Sequence, residues 1–443
     1  MVTRVSSTRY HTSCHVRPKE LVVNETTQKP ARDKVSVNRI LILLFPTIIG
    51  VYGVYQAIGQ VLLPAQIVSI DPTNKVHDTA IISFVESLVG TIILPVGAAI
   101  SDRTRSRFGR RTPWLIISAL GTALTCIGMG FMTGIAGLVV MAGLVWLFAN
   151  WFQGVIYAVI PDRIPEDKRG VASSVTGLGV PVGILVFVNL ASRTGQHWGY
   201  LLVGLFLLVA AVVFCIFAPE PSSLENLPQE PKEKKRKTFN FKEIGHFFSA
   251  FLHWDFTMAF ISRFTFYFAA FAISSFTFYV LTDYIGTKNI PGQNPTTAVA
   301  TISSIQTVAQ IIAIIIFGKL ADMLDRRKLV VAMSSIVYMV SFIVPLVMPN
   351  WIGMVIYAII NGAAGGVYFS VDIAVMSLVL PSKADEGRDL GILAVATSVP
   401  AALSPLVGSM LISATGTYAA VFVFGILTSF LGGVFTMLIR SVR

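Results

Sequence analysis

The sequence predicts an all-α integral membrane protein: twelve transmembrane helices in two six-helix halves, with both termini cytoplasmic. Three observations carry this. The 443 residues are 54% hydrophobic and only 13% charged, against roughly 25% charged in soluble domains. The charges gather into short islands between apolar runs of about 20 residues, the length of one bilayer crossing. The basic residues are also split by side, as the positive-inside rule requires. A transmembrane barrel would instead show alternating segments of about ten residues, and the sequence has none.

The elements follow in order. Residues 1–38 are polar and basic and lack the apolar core of a cleavable secretory signal. They read as a disordered cytoplasmic tail. Apolar segments then fall at about 40–67, 79–101, 113–132, 136–160, 170–191 and 198–219, with boundaries good to a few residues. These make an N-terminal half over 39–219. A polar interval, 220–254, reads as a cytoplasmic central loop. Its run Lys232 to Lys237 is a solvated linker or a short interfacial helix on anionic lipid. Six more segments follow, at about 256–284, 296–318, 328–348, 351–380, 390–412 and 418–439. These make the C-terminal half, 255–443.

Charge placement tests this order. Of the 34 Lys and Arg, three fall in loops on the external side: Lys75, Arg193 and Lys288. Arg263 falls inside a helix, and all the others lie on the cytoplasmic side. A helix too many or too few would scramble that split. The net charge of +11 is therefore a topology signal, and nucleic acid is not expected as a partner. Cys14, Cys126 and Cys215 are scattered and odd in number, with no disulfide framework or metal-ligand spacing.

The most specific stretch is Pro95 to Trp114, P-V-G-A-A-I-S-D-R-T-R-S-R-F-G-R-R-T-P-W. It joins the second and third segments and carries Asp102, Arg103, Arg105, Arg107, Arg110 and Arg111. The second half echoes it with Asp322, Arg326 and Arg327 after the eighth segment. Pro165 to Gly170 after the fourth segment is likewise echoed by Pro381 to Gly391 after the tenth. A repeat of six helices marks a transporter built from two parallel halves.

These features resemble the major facilitator superfamily over about residues 40–440. Six residues separate Asp102 from Gly109, more than in the general superfamily loop. The whole stretch looks like that of the glycoside–pentoside–hexuronide cation symporters and sucrose-transporter-like proteins. Asn150, Gln153 and Gly154, then Pro161-Asp162 and Arg169-Gly170, are similar to the fourth-helix region of the sucrose branch. The resemblance implies a cavity between the halves, lined by helices 1, 4, 7 and 10, and coupled movement of a sugar or glycoside with a cation. Sodium symporters of the melibiose type carry acids on helix 2 where this chain has Gly90 and Leu94. The expected coupling ion is therefore H⁺. Gly177 to Gly183 partly resembles the glycine–proline signature of drug/proton antiporters, which keeps an exporter as the alternative.

Ionisable side chains inside the bilayer cost roughly 2.5–3.5 kcal/mol each and persist when paired or facing a wet cavity. Three occur: Glu86, Arg263 and Asp372. Arg263 and Asp372 both sit ~12–14 Å from the cytoplasmic ends of their helices at 1.5 Å per residue. They are expected to pair, either dynamically with a proton on Asp372 or as a static packing contact. Glu86 shares a helix face with Gly90 and Gly97. It is a proton-binding carboxylate or a structural acid. Asn150, Gln153, Tyr55, Gln56, Tyr267 and Gln306 are the candidate substrate contacts, since amides, hydroxyls and rings suit sugars. Each can equally bridge helices. Asp102, Arg103, Arg105, Arg110 and Arg111 form a candidate cytoplasmic gate, braced by Asp162 with Arg169 and matched by Asp322, Arg326 and Arg327. Gly362, Gly365 and Gly366 are candidate hinges or close-packing points. No triad, metal cluster or Walker sequence occurs in the chain. The expectation is thus a monomeric plasma-membrane transporter of a small molecule, without enzymatic activity, cofactor or metal.

Overall fold

The computed structural model describes residues 35–224, 249–324, 327–379 and 386–440. The proposed tail, the Lys232–Lys237 run, Arg326 and the side chain of Asp322 lie outside the described residues. Among the described residues twelve helices are long and apolar enough to cross a membrane. In the first half they are α1 Val37–Ile70, α2 Lys75–Arg103, α3 Thr112–Gly130, α4 Ile135–Arg163, α5 Glu166–Arg193 and α6 Gln196–Phe217. In the second they are α7 Trp254–Ser274, α8 Pro295–Leu324, α9 Arg327–Val347, α10 Trp351–Leu378, α11 Glu386–Thr415 and α12 Ala419–Met437. The end of the bundle where α1 begins and α12 finishes is called here the terminal end; the opposite one is the far end.

The helices start where sequence chemistry lets them. Ser36 caps α1 by accepting from the Arg39 N–H, and Asn350 caps α10 by accepting from the Gly353 N–H at 2.9 Å. The seventh segment departs from expectation. It was expected as one helix over 256–284, but α7 stops at Ser274. A single turn, Thr277–Tyr279, and a π-helical stretch, Val280–Tyr284, continue the chain. The cause is local. The Ser274 and Ser275 hydroxyls both donate to the Phe271 carbonyl, and Thr277 to that of Ile273. Hydroxyls that compete for ladder acceptors bend helices. A second π-helical turn, Ile58–Leu62, lies within α1.

In the first half α2 packs on α4, α1 on α5 and α3 on α6; in the second α8 packs on α10, α9 on α12 and α7 on α11 and α12. The halves meet along α2–α11 and α5–α8. One packing device recurs. Gly154 of α4 lies against the Leu94 carbonyl of α2, and Gly362 of α10 lies against the Gln306 carbonyl of α8. A Cβ at either glycine would run into that oxygen. Gly366 sits likewise on the Gln310 carbonyl. Gly362 and Gly366 thus show close packing, one of the two expected roles. Gly90 and Gly97, on the Glu86 face, receive Asn150 and Trp151 of α4.

Candidate functional site

Polar side chains on α1 and α4 meet between these helices. Positions 52, 55 and 56 of α1 and 146, 153 and 157 of α4 recur at helical spacing, so each set shares one face. Gln153 ties them together: its Oε1 accepts from the Tyr55 hydroxyl at 2.9 Å and its Nε2 donates to the Tyr52 oxygen at 3.1 Å. The Tyr52 and Tyr157 hydroxyls are 3.2 Å apart. The Tyr55 ring lies 5.6 Å from that of Trp146. Gln60 receives a hydrogen bond from Ser303 of α8 and donates to Gln56. These groups are neutral, partly buried and rich in rings and amides.

The second half presents charge instead. Arg263 Nη1 lies 2.7 Å from Asp372 Oδ2, joining α7 to α10. Its Nε donates to Thr397 Oγ1 of α11 at 3.1 Å, and its guanidinium carbon lies 5.4 Å from the Tyr267 ring centre. The pair is uneven. The Asp372 side chain is 2% exposed and that of Arg263 is 16% exposed. The Phe266 and Tyr368 rings stack beside it, 3.5 Å between centres.

Two of the named candidates face away from this axis. Asn150 donates to its own helix at the Trp146 carbonyl and packs on Gly90. Gln306 donates to Asn361, which donates to Ser341, so it belongs to the packing of α8, α10 and α9. Glu86 is buried on α2, and its Oε1 has no hydrogen-bond partner among the described residues.

At the terminal end Arg111 holds α2, α3 and α4 together. It pairs with Asp102 and, at 2.8 Å, with Asp162, and it donates to Ser101 and the Ala98 carbonyl. Arg110 reaches Asp162 at 3.2 Å. The expected Asp162–Arg169 brace does not form. Arg169 instead reaches Glu166 at 3.5 Å and the carbonyls of Ile164 and Pro161, because Asp162 is already engaged by the loop arginines. Arg105 turns back to the Asp102 carbonyl, and Arg103 is exposed. Glu220, not singled out from sequence, accepts the Arg111 N–H at 2.7 Å and the Thr112 N–H at 3.4 Å. An anion at a helix start is favoured by the dipole. An acid between two prolines directly after the sixth apolar run was the available signal. Arg327 is half-buried at the start of α9.

At the far end the halves are bonded to each other. Lys75 of α2 pairs with Asp283 at 2.7 Å, and the Thr79 and Tyr279 hydroxyls are 2.6 Å apart. The Ser192 carbonyl accepts from Thr296, and Asn189 donates to Ser304. Nearer mid-depth Ser87 donates to the Ala401 carbonyl. Tyr418 donates to Asp283 at 2.7 Å. Burial raises the Tyr279 and Tyr418 phenols above the ordinary tyrosine range, so both remain neutral donors.

Comparison with known proteins adds to this geometry. The pattern of the Major Facilitator Superfamily matches residues 40–292 and 292–443. An anhydromuropeptide permease of Escherichia coli K12 is 29% identical over 129 residues, 28% of this chain and 26% of the permease. A sucrose transport protein of Arabidopsis thaliana is 24% identical over 182 residues, 32% of this chain and 31% of that protein. The chain thus matches only about a quarter to a third of these relatives' lengths. Among solved structures, a peptide transporter in complex with sulfate aligns with a TM-score of 0.70 at 14% identity, over 91% of this chain and 95% of that one. A bacterial homologue of the human lysosomal transporter Spinster, inward-facing and unoccupied, aligns with a TM-score of 0.62 at 13% identity, over 91% and 96%.

Proposed function

The chain belongs to the major facilitator superfamily, and from that premise we propose that this secondary transporter is a proton-coupled symporter of a sugar or glycoside. The observation that carries the proposal is the division between the halves. A neutral set of rings, hydroxyls and amides on α1 and α4 stands apart from a single ion pair on α7 and α10. The neutral set suits the hydroxyl-rich faces of a sugar. The ion pair suits coupling, because a proton on Asp372 removes the charge that holds Arg263. A relative named for sucrose transport supports the sugar reading, as does the resemblance of residues 95–183 to the sucrose branch.

The same proposal gives direction to the geometry. The terminal end carries the loop arginines, so it lies in the cytoplasm of a cell whose plasma membrane the chain spans. Among the described residues, bonds between the halves are found from mid-depth to the far end. These bonds support reading the state as closed outside. Opening outward needs Lys75–Asp283, Thr79–Tyr279 and Asn189–Ser304 to part. The cluster of Asp102, Arg110, Arg111 and Asp162 keeps one half rigid while it turns.

Uptake of labelled sucrose and related glycosides into proteoliposomes tests this. An inward proton gradient is expected to drive accumulation that a protonophore abolishes and that Asp372→Asn loses. Sugar accumulation under a sodium gradient alone would move the coupling ion. No uptake under either gradient would turn the reading to export. Accumulation retained in Asp372→Asn would remove Asp372 from coupling.

A further inference from the structure

Arg263 is held from two helices at once. Asp372 of α10 takes its Nη1 at 2.7 Å, and Thr397 of α11 takes its Nε at 3.1 Å. The two holds answer a proton differently. A proton on Asp372 removes the charge that draws the guanidinium to α10. The threonine hydroxyl accepts from Nε in either state of the acid. Among the described residues, the other titratable groups beside Asp372 are Tyr267 of α7 and Tyr368 of α10, and Thr397 on α11 is neutral. Phenols ordinarily titrate at about pH 10, so near neutrality the acid alone changes charge.

The same stripe of α11 is bonded to the other half. Thr397, Ala401 and Ser404 recur at helical spacing and share one face. Pro405 has no N–H, so the Ala401 carbonyl four residues earlier receives no donor from its own helix. Ser87 of α2 fills it at 3.1 Å, across the halves. Ser404 donates to the Phe268 carbonyl of α7 at 2.6 Å. The stripe is thus tied to α7 and to α2, and Thr397 stands one turn, about 6 Å, from the cross-half bond. We propose that Thr397 is the positioning residue that passes the state of the Arg263–Asp372 pair to the Ser87–Ala401 bond. It acts through Arg263. With Asp372 charged, the guanidinium clamps α10 to α11, and α11 stays bonded to α2. With Asp372 protonated the clamp opens at its α10 end, Thr397 keeps the cation, and α11 moves with α7. The pair and the cross-half bond are both made in this structure, so a proton on Asp372 favours the other state. The role rests on the proton-coupling reading.

The test follows labelling of a cysteine placed beside Thr79, in the full chain with Cys14, Cys126 and Cys215 replaced by serine. Labelling is titrated against pH in proteoliposomes. The parent chain is expected to label more as pH falls, and Asp372→Asn to label alike at every pH. Thr397→Val keeps the size of the side chain and removes its hydroxyl. At the acid end it should label about tenfold less than the parent, the scale of one hydrogen bond to a charged group. Thr397→Ser should restore the response, and Ser87→Ala should blunt it. A residue that only packs α11 would change thermal stability and leave the pH profile alone. A parent-like profile in Thr397→Val, or no rescue by Thr397→Ser, would overturn the role of the hydroxyl. A full response in Ser87→Ala would overturn the route through Ala401. A response kept in Asp372→Asn would place the proton elsewhere and overturn the inference. Labelling that ignores pH in the parent chain would overturn the proton-coupling reading itself, and this role with it.

Discussion

The two halves pack alike but carry different polar chemistry. In each, a glycine on the fourth helix of the half seats against a carbonyl on the second: Gly154 on Leu94, Gly362 on Gln306. Yet α1 and α4 present a hydroxyl–amide network, whereas α7 and α10 present Arg263 and Asp372. Repetition of the scaffold thus leaves the interior polar residues free to diverge. A neutral network can exchange its hydrogen bonds for a substrate's at small net cost, since a neutral hydrogen bond contributes only about 0.5–1.5 kcal/mol. A buried ion pair cannot be parted without a replacement charge or a proton, because an uncompensated partner costs about 3–5 kcal/mol. On the proposed reading the arrangement separates recognition from coupling, and substitutions should separate them too.

The largest effect is expected at the charged side. Arg263→Gln leaves Asp372 unpaired at 2% exposure and should destabilise the fold by about 3–5 kcal/mol. Asp372→Asn leaves the more exposed Arg263 and should be milder. Thermal unfolding of both variants in one detergent checks the order. Equal losses would mean that the exposure difference within the pair has no energetic consequence.

Next come the shared glycines. Gly154→Leu and Gly362→Leu each force a side chain onto a helix carbonyl and should each lose about 1–3 kcal/mol by overpacking. The two losses should be similar. If only one half suffers, the packing is less alike than the matched contacts indicate. Smaller again is Gln153→Ala, which removes both bonds that tie Tyr52 to Tyr55. Substrate affinity should fall about tenfold, the equivalent of one to two neutral hydrogen bonds. The protonophore sensitivity of residual uptake should stay intact. Loss of that sensitivity would place coupling in the neutral half as well.

The fold was legible because bilayer length and charge asymmetry act on every segment at once. Arg263 and Asp372 were legible for a related reason. Few residues inside apolar helices are ionisable, and matching depth picks out the pair that lies 2.7 Å apart. Legibility stopped where helix rotation chooses the partner. Asn150 and Gln153 are three residues apart, yet Gln153 turns to α1 while Asn150 packs on Gly90. Thr397 gave no signal, since a single threonine in an apolar run is ordinary. Asp162 could reach several arginines within one loop's span, and the structure gives it Arg110 and Arg111. The break after Ser274 was written in adjacent serines and a threonine, but three hydroxyls within four residues also occur in unbroken helices.

The smallest effect is expected where the halves touch. Lys75 and Asp283 are partly exposed, at 19% and 31% of their side chains, and exposed pairs contribute roughly 0.2–1 kcal/mol. Lys75→Ala should therefore shift the balance toward outward opening only a few-fold, measured as labelling of a cysteine placed beside Thr79. Tyr418 supplies a second bond to Asp283. Its raised phenol keeps its proton in the closed state, so its contribution is fully present below the ordinary tyrosine value near 10 and is lost only above it. Tyr418 and Asp283 both belong to the second half, so this bond positions Asp283 for Lys75 without itself joining the halves, and Tyr418 adds no pH dependence to labelling between about pH 6 and 9. Tyr418→Phe alone should therefore raise labelling by a small factor, and it should add nothing to Lys75→Ala. If the double variant labels more than Lys75→Ala, Tyr418 holds the far end closed through a contact other than the one it makes with Asp283.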